Sequence, residues 1–335
     1  MQVFVIGGTR FIGRHVVERL VKMGDEVTCL VPPDADIEPL EMMGVTLRIG
    51  HTGDPTGFAD LCRSADVVYH LEGVDQADAD EMRRLNVGGF EQVADACAAA
   101  ERPPILLLLS SLAAAGPSDA EIPHVEADTP RPVSAYGRSK LEAEQAGRLR
   151  AGRLPITVVR PPVVFGEYDR ETLELFRLAD KGWSVSPGLS MQRLSLVHAA
   201  DLAQLIVAAA ERGERLPGPD AEQVAGAGIY YAGDDHRPTY ADLAQLIGEA
   251  LGRPTVRVLP APAPVAFGIA AVAEAFARLK GQPATLTIDR AREVTAGSWM
   301  CSSRKARTAL KLKWRIPLTR RLRETAEWYR EAGWL

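Results

Sequence analysis

Cysteine is scarce in this chain. There are four in 335 residues, at 29, 62, 97 and 301, with no C-x-x-C pair. No cysteine–histidine cluster accompanies them, so a disulfide framework and a structural zinc or other metal site are excluded and reduced, buried thiols are expected. A basic excess is lacking as well. The 39 Lys and Arg against 44 Asp and Glu leave a formal net charge of −5, which offers no electrostatic footprint for nucleic acid. No run approaches 18 uninterrupted apolar residues, so no membrane span is expected. The chain also shows no charged lead, apolar stretch and cleavage site at its start, and the expected compartment is the cytoplasm. Internal repeats and low-complexity tails are absent. What is present, 46% hydrophobic and 25% charged residues, is the composition of a globular enzyme with one large domain and a smaller lobe.

The pattern alternates. "VFVIG", "EVTCLV", "VTLRIG", "DVVYHLEG", "PILLLLSS" and "ITVVRPP" read as strands that are apolar along most of their length. Between and after them, "RFIGRHVVERLVKMG", "FADLCRSA", "DEMRRLNVGGFEQVADACAAA", residues 138–150 and "AADLAQLIVAAAERG" read as helices. Such an order predicts an α/β fold, a doubly wound parallel sheet of Rossmann type covered on both faces. We assign residues 1–165 to this dinucleotide-binding domain, with a return at about 194–227. Residues 166–193 and 228–335, including "GWSVSPGLSMQRLSLVH" and "GIYYAGDD", are assigned to a smaller, discontinuous substrate lobe. Val265–Leu279 is apolar at helical spacing and is expected to be a core or lid helix. A membrane-surface helix is the other reading, its only charges being Glu274 and Arg278.

Residues 7–13, "GGTRFIG", follow the first strand and open the first helix, the context of a dinucleotide fingerprint. Gly7 and Gly8 permit a tight turn and close approach to a pyrophosphate, and Gly13 lets the helix pack on the sheet. Thr9, Arg10, Phe11 and Ile12 complete the turn, with the helix N-terminus facing the phosphates. A second constellation joins Ser110 and Ser111, at the carboxyl end of "ILLLLSS", to Tyr136 and Lys140 in "YGRSK". The last two are four apart and share a helix face. A phenol beside an ammonium is expected to have its pKa lowered, which suits proton exchange with an alcohol or ketone. His70 and His198 are expected to be packed structural histidines, with Asp201 as a helix cap.

Taken with "VVYH", "LNVGG", "SSLAAAGP", "VVRPPVVFG" and "LSLVHAADLA", these motifs make nearly the whole chain resemble the extended short-chain dehydrogenases/reductases, including the NAD-dependent epimerase/dehydratase group. The resemblance implies a catalytic Ser111–Tyr136–Lys140 triad supported by Asn86, with Tyr136 as acid/base and Lys140 on the nicotinamide ribose. It implies that Asp54 approaches the adenine and that Leu71, Pro161 and Val163 lie against the cofactor. It also implies a homodimer built through the helices around 86–100 and 138–150.

Three departures from the family pattern carry information. Arg10 replaces the central glycine of the turn. The second strand ends at Val31, where NAD-specific members carry an acid, so NADP(H) is slightly favoured over NAD(H), with Arg10 toward the 2′-phosphate. Glu72 stands where the family has a small residue, and must point away, pair with a cation such as Arg10, or weaken cofactor binding. On the substrate side, Val163 replaces the asparagine of sugar-nucleotide members. That resembles the 3β-hydroxysteroid dehydrogenase and dihydroflavonol-reductase-like branch, and implies a small-molecule substrate of apolar ring type. Val163, Phe165, Trp183 and Met191 are the expected apolar pocket, with Ser111 on the substrate oxygen and Arg193 able to meet a phosphate. The expected activity is that of an NAD(P)-dependent oxidoreductase. The alternatives are a nucleotide-sugar epimerase or dehydratase using the same triad, and a non-catalytic nucleotide- or RNA-associated binding protein.

Overall fold

The computed structural model describes residues 1–187, 191–280, 287–312 and 316–335. The strands, in chain order, are β1 (Gln2–Ile6), β2 (Glu26–Val31), β3 (Thr46–Ile49), β4 (Val67–His70), β5 (Ile105–Leu109), β6 (Ile156–Arg160), β7 (Val163–Phe165), β8 (Trp183–Pro187), β9 (Leu196–His198), β10 (Ile229–Tyr231) and β11 (Arg257–Ala261). Seven of them form one sheet in the order β10-β6-β5-β4-β1-β2-β3, and every neighbouring pair is parallel. The chain order reverses between β1 and β4, which opens a crevice at their carboxyl ends.

Strand alternation assigns the two faces. Val3, Val5, Val67, Tyr69, Leu107 and Leu109 join one core with Val16, Val17 and Leu20 of the helix Phe11–Lys22 and Leu202, Leu205 and Ile206 of the helix Ala199–Arg212. Phe4, Ile6, Val68, Leu106 and Leu108 point the other way, into Phe58, Phe90, Val93, Ala143 and Ala146. Because both faces are covered, the strands need apolar residues at every position, which is why their sequences do not alternate. All four cysteines are buried and unpaired. Among the described residues no helix is long and apolar enough to cross a membrane.

Two expectations change here. Ile229–Tyr231, assigned from the sequence to the smaller lobe, pairs with β6 through Ile229↔Val158 and becomes the outermost strand of the main sheet. Three residues carry too little periodicity to choose a partner; the free edge of β6 chooses it. The second concerns the apolar stretch near 265. It forms the helix Ala263–Lys280, yet among its described side chains only Ala270 is buried, while Val265, Ile269 and Val272 are exposed. It is not a core helix. The side chains of Arg278 and Leu279, and residues 188–190, lie outside the described part.

A third core lies past the carboxyl ends of the sheet. Phe165, Phe176, Leu243, Ile247, Leu322 and Tyr329 pack together there, flanked by the small parallel pairs β7–β9 and β8–β11.

Candidate active site

The glycine turn is closed by backbone geometry. Gly7 sits at φ +86, a region that excludes most side chains. A Cβ there would stand 2.9 Å from the amide nitrogen of Glu72, and one on Gly13 would stand 2.0 Å from the Gly7 carbonyl oxygen. Arg10 occupies the cap position of the helix Phe11–Lys22, its amide donating to the Gly7 carbonyl at 3.1 Å. Its side chain is exposed and makes no ion pair among the described residues. The Thr9 carbonyl accepts from Arg14 Nε at 3.2 Å, Phe11 meets His15 edge-on, and Ile12 packs on the core. Leu71 continues the crevice, its amide donating to Ile6 at 2.9 Å. The first helical turn carries no acid, so its N-terminal amides favour an anion. A cradle that a methyl group would fill, at the N-terminus of a 12-residue helix, fits the pyrophosphate of a dinucleotide.

Around it, Val31 ends β2 as expected, and the nearby Asp36 is held by Arg14 Nη2 at 3.1 Å. Asp54 is exposed, and its carboxylate accepts from the amide and hydroxyl of Thr56, capping the short turn Pro55–Gly57. Glu72 does not reach Arg10. It accepts from Thr52 Oγ1 at 3.4 Å and acts electrostatically on Lys140. Pro161 offers its carbonyl to Leu112, and Val163 is half-buried beside it.

The triad converges where β5 ends. Ser111 opens the turn Leu112–Ala114, its Oγ accepting from Ala113 N at 3.1 Å. The helix Ala135–Arg150 starts at Ser134, whose hydroxyl accepts from Gly137 N, and Asp289 accepts from the amides of Ala135 and Tyr136. One turn on, Lys140 lies with Nζ 5.9 Å from the Tyr136 ring centre and donates to the Leu109 carbonyl at 3.1 Å. A Cβ on Gly73 would stand 2.5 Å from that nitrogen, so the glycine is what admits the lysine. Asn86 lies in a π turn, Arg84–Gly88, inside a longer helix, a break common at functional sites. Its amide spans Val74, bonding both N and O at 2.8 and 2.9 Å, and donates to Ser139 Oγ at 2.9 Å. Asn86 thereby ties the loop after β4 to the tyrosine helix.

The electrostatics correct one expectation. Burial raises the Tyr136 pKa, with Asp75 and Glu293 adding to the rise; Ser111 and Arg290 oppose it. The phenol is therefore held protonated, since in a dry site the cost of an anion outweighs nearby donors. Lys140 moves down to about 8, chiefly through burial, with Glu144, Asp75 and Glu72 resisting the fall. Between pH 8 and the ordinary lysine value of 10.5, the unfolded chain holds a proton there that the folded chain has released. Stability conferred by this group rises over that interval and is lowest below it. Relative to Lys140→Met, the native protein should gain about 2 kcal/mol between pH 8 and 10 in denaturant titrations, at roughly 1.36 kcal/mol per pKa unit; parallel curves would contradict this.

Sequence reading missed the groups that surround the triad. Glu144, one turn beyond Lys140, forms a buried pair with Arg160 at 2.6 Å. Arg160 also donates to Tyr231 at 2.9 Å, and Ser110 donates to Glu144. The spacing 136, 140, 144 on one helix face was a usable signal for Glu144. No comparable signal marked Arg290, which reaches Glu171 at 3.1 Å and Glu293 at 3.6 Å beside Tyr136.

The expected apolar pocket does not form. Phe165 is buried in the third core, packed edge-on against His198, because the alternation of β7 turns it inward. Trp183 is exposed with Arg257 stacked on it, and Met191 is exposed. Arg193 donates to the Arg237 carbonyl at 3.0 Å. A cavity of about 480 Å³ opens beside Ala135, at the start of the tyrosine helix; Met82, Ala277 and Ile288 line it together with the charged Asp78, Arg138 and Asp289. His70 is buried against Phe90, its pKa pushed down to about 3 by burial. His198, also lowered to about 3 by burial, accepts from Ala200 N and caps the helix Ala199–Arg212. Asp201, expected as that cap, pairs with Arg321 at 2.6 Å instead.

Residues 3–225 match the model of the NAD dependent epimerase/dehydratase family. The chain is 30% identical to a ceramide reductase of Caulobacter vibrioides, over 99% of this chain and 96% of that one. It is 25% identical to a decarboxylating sterol-4-alpha-carboxylate 3-dehydrogenase of Dictyostelium discoideum, over 63% and 68%. Its fold is that of the UDP-glucose 4-epimerase of Thermus thermophilus, solved with NAD, at a TM-score of 0.75, 20% identity and coverage of 99% and 100%. The match over two thirds of the chain, on top of the glycine cradle and the parallel sheet, makes this protein a member of the NAD-dependent epimerase/dehydratase family and an NAD(P)-dependent oxidoreductase of the extended short-chain dehydrogenase/reductase type.

Proposed function

We propose that this enzyme moves hydride between a nicotinamide cofactor and the secondary alcohol or ketone carbon of an apolar, lipid-like substrate. The observation that carries this reading is the convergence of Ser111, Tyr136 and Lys140 at the carboxyl end of β5, braced by Asn86. The similarity to a ceramide reductase and a sterol dehydrogenase supports the substrate class.

Gly7, Gly8, Gly13 and the helix amides would hold the pyrophosphate, with Leu71, Pro161 and Val163 against the cofactor and Asp54 toward the adenine. When bound, the cofactor supplies or accepts the hydride. Ser111 orients the substrate oxygen. Tyr136, kept protonated by burial, gives its phenolic proton to that oxygen in reduction and takes it back in oxidation. Lys140 holds the cofactor ribose and returns a proton to the phenol. We further propose the division into a nucleotide domain and a discontinuous substrate lobe, a cytoplasmic location, and a homodimer through the helices at 86–100 and 138–150.

NADP(H) is the preferred cofactor in this reading, because β2 ends without an acid and the Arg10 side chain is exposed beside the turn. By calorimetry, Arg10→Gly should weaken NADPH by about 10- to 100-fold, the worth of a charge-assisted bond, and leave NADH within about twofold. Equal effects on both would remove Arg10 from the 2′-phosphate. Function is tested by following NADPH oxidation with long-chain and sterol-type ketones, against UDP-glucose as the competing substrate class. Conversion of UDP-glucose without net cofactor change would replace the reductase by an epimerase. Failure to bind any nicotinamide nucleotide would favour a binding protein.

A further inference from the structure

We infer that the outer face of the helix Ala263–Lys280, with the strand β11 that leads into it, docks on an anionic lipid bilayer and delivers substrate to the cavity at the start of the tyrosine helix. This rests on the lipid-like substrate class proposed above.

Val265, Ile269 and Val272 lie at i, i+4 and i+7, on one side of the helix, and are 49%, 55% and 71% exposed. A three-residue stripe of branched aliphatics at that exposure is costly in water and suited to an interface. Pro262 joins the helix directly to β11, where the alternation continues the same chemistry. Leu259 pairs in register with Val185 and Arg257 with Trp183, and all four side chains are exposed. Arg257 lies over the Trp183 ring at 5.4 Å, a tryptophan–cation pair of the kind that sits at headgroup level.

Charge selects the occupant. The protein carries a net −5, yet from Arg253 to Ala277 the charged residues are Arg253, Arg257 and Glu274 alone. Glu274 is turned inward, its carboxylate accepting from Ile288 N at 2.7 Å. Arg253 shares its charge with Asp180 at 3.6 Å. The outward charge left on this stretch is that of Arg257, positive and complementary to anionic headgroups. The helix's other side faces inward, where Glu274 and Ala277 line the cavity of about 480 Å³ that also touches Met82 and Ala135, the residue before Tyr136. One helix thus offers apolar residues to the bilayer and a wall to the cavity at the start of the tyrosine helix.

The test uses the full chain and vesicles of phosphatidylcholine, with or without about 30 mol% of the anionic phosphatidylglycerol. Native protein should co-sediment with the anionic vesicles, more weakly with neutral ones, and Ile269→Asp/Val272→Asp should reduce binding at least about tenfold, the direction expected for charge placed in an apolar interface. Arg257→Gln should lose part of the anionic preference. Unchanged NADPH binding and thermal midpoint show that each variant is folded. Turnover of a short, water-soluble ketone separates docking from catalysis: lost vesicle binding with retained soluble turnover supports the inference. Native protein that ignores both vesicle types overturns it while leaving the reductase reading intact. So does a dimer in sedimentation velocity that the double variant converts to monomer, because a second copy would then cover the face.

Discussion

Tyr136→Phe should lower kcat by about 100- to 10,000-fold, the usual worth of a positioned acid/base. NADPH affinity should stay within a factor of about two. The expectation follows from how the phenol is held. Its helix is anchored at Ser134 and Asp289, its neighbours Ser111 and Lys140 are fixed by backbone bonds, and phenylalanine keeps the ring in place. What disappears is the one proton that burial has kept on the oxygen. Stopped-flow turnover and calorimetry on the same preparation separate the outcomes. A variant that keeps its rate would remove Tyr136 as the acid/base and leave Ser111 or a water in that role. A variant that loses rate and cofactor affinity together would report a collapsed site instead.

Glu144→Ala should cost about 3–5 kcal/mol of stability, the effect of removing one partner of a buried ion pair. Arg160 is 1% exposed and would keep its charge, with the Tyr231 hydroxyl as its remaining side-chain acceptor. Denaturant midpoints measure the loss. Glu144→Gln should lose less, since an amide can still accept from Arg160. The double replacement Glu144→Leu/Arg160→Met should recover much of the deficit, because neither charge is then stranded. The pair also bears on catalysis. Glu144 is the strongest influence holding up the Lys140 pKa, so its loss should move the alkaline limb of the rate profile to lower pH. A full-strength deficit in stability with an unmoved limb would detach the pair from the triad and leave it purely structural.

Much of this was legible from the chain. Alternation of apolar strands with helices leads to a parallel sheet because a strand covered on both faces has no polar side to show. Gly7 and Gly13 stood out because a turn that close to a helix leaves no room for a Cβ, and the tyrosine and lysine because a spacing of four puts them on one face. These are local rules, satisfied within a dozen residues. The four apolar residues do not meet in one pocket: Phe165 turns into the core and Trp183 outward through strand alternation in registers that only pairing with β9 and β11 sets. The place of β10 is equally non-local, since its partner is 71 residues away at Tyr231↔Arg160.

The sequence by itself determined the sheet class, the cradle and the choice of Tyr136 as the proposed acid/base, since each is written in residue types and short spacings. Tertiary structure alone decided the protonation of that group and the surface the enzyme turns outward. Burial and charges such as Asp75, Glu293 and Arg290, brought in by the folded chain, set the Tyr136 phenol. The outward face of the helix Ala263–Lys280 was settled the same way, because periodicity says that a helix is apolar and only packing says what it faces.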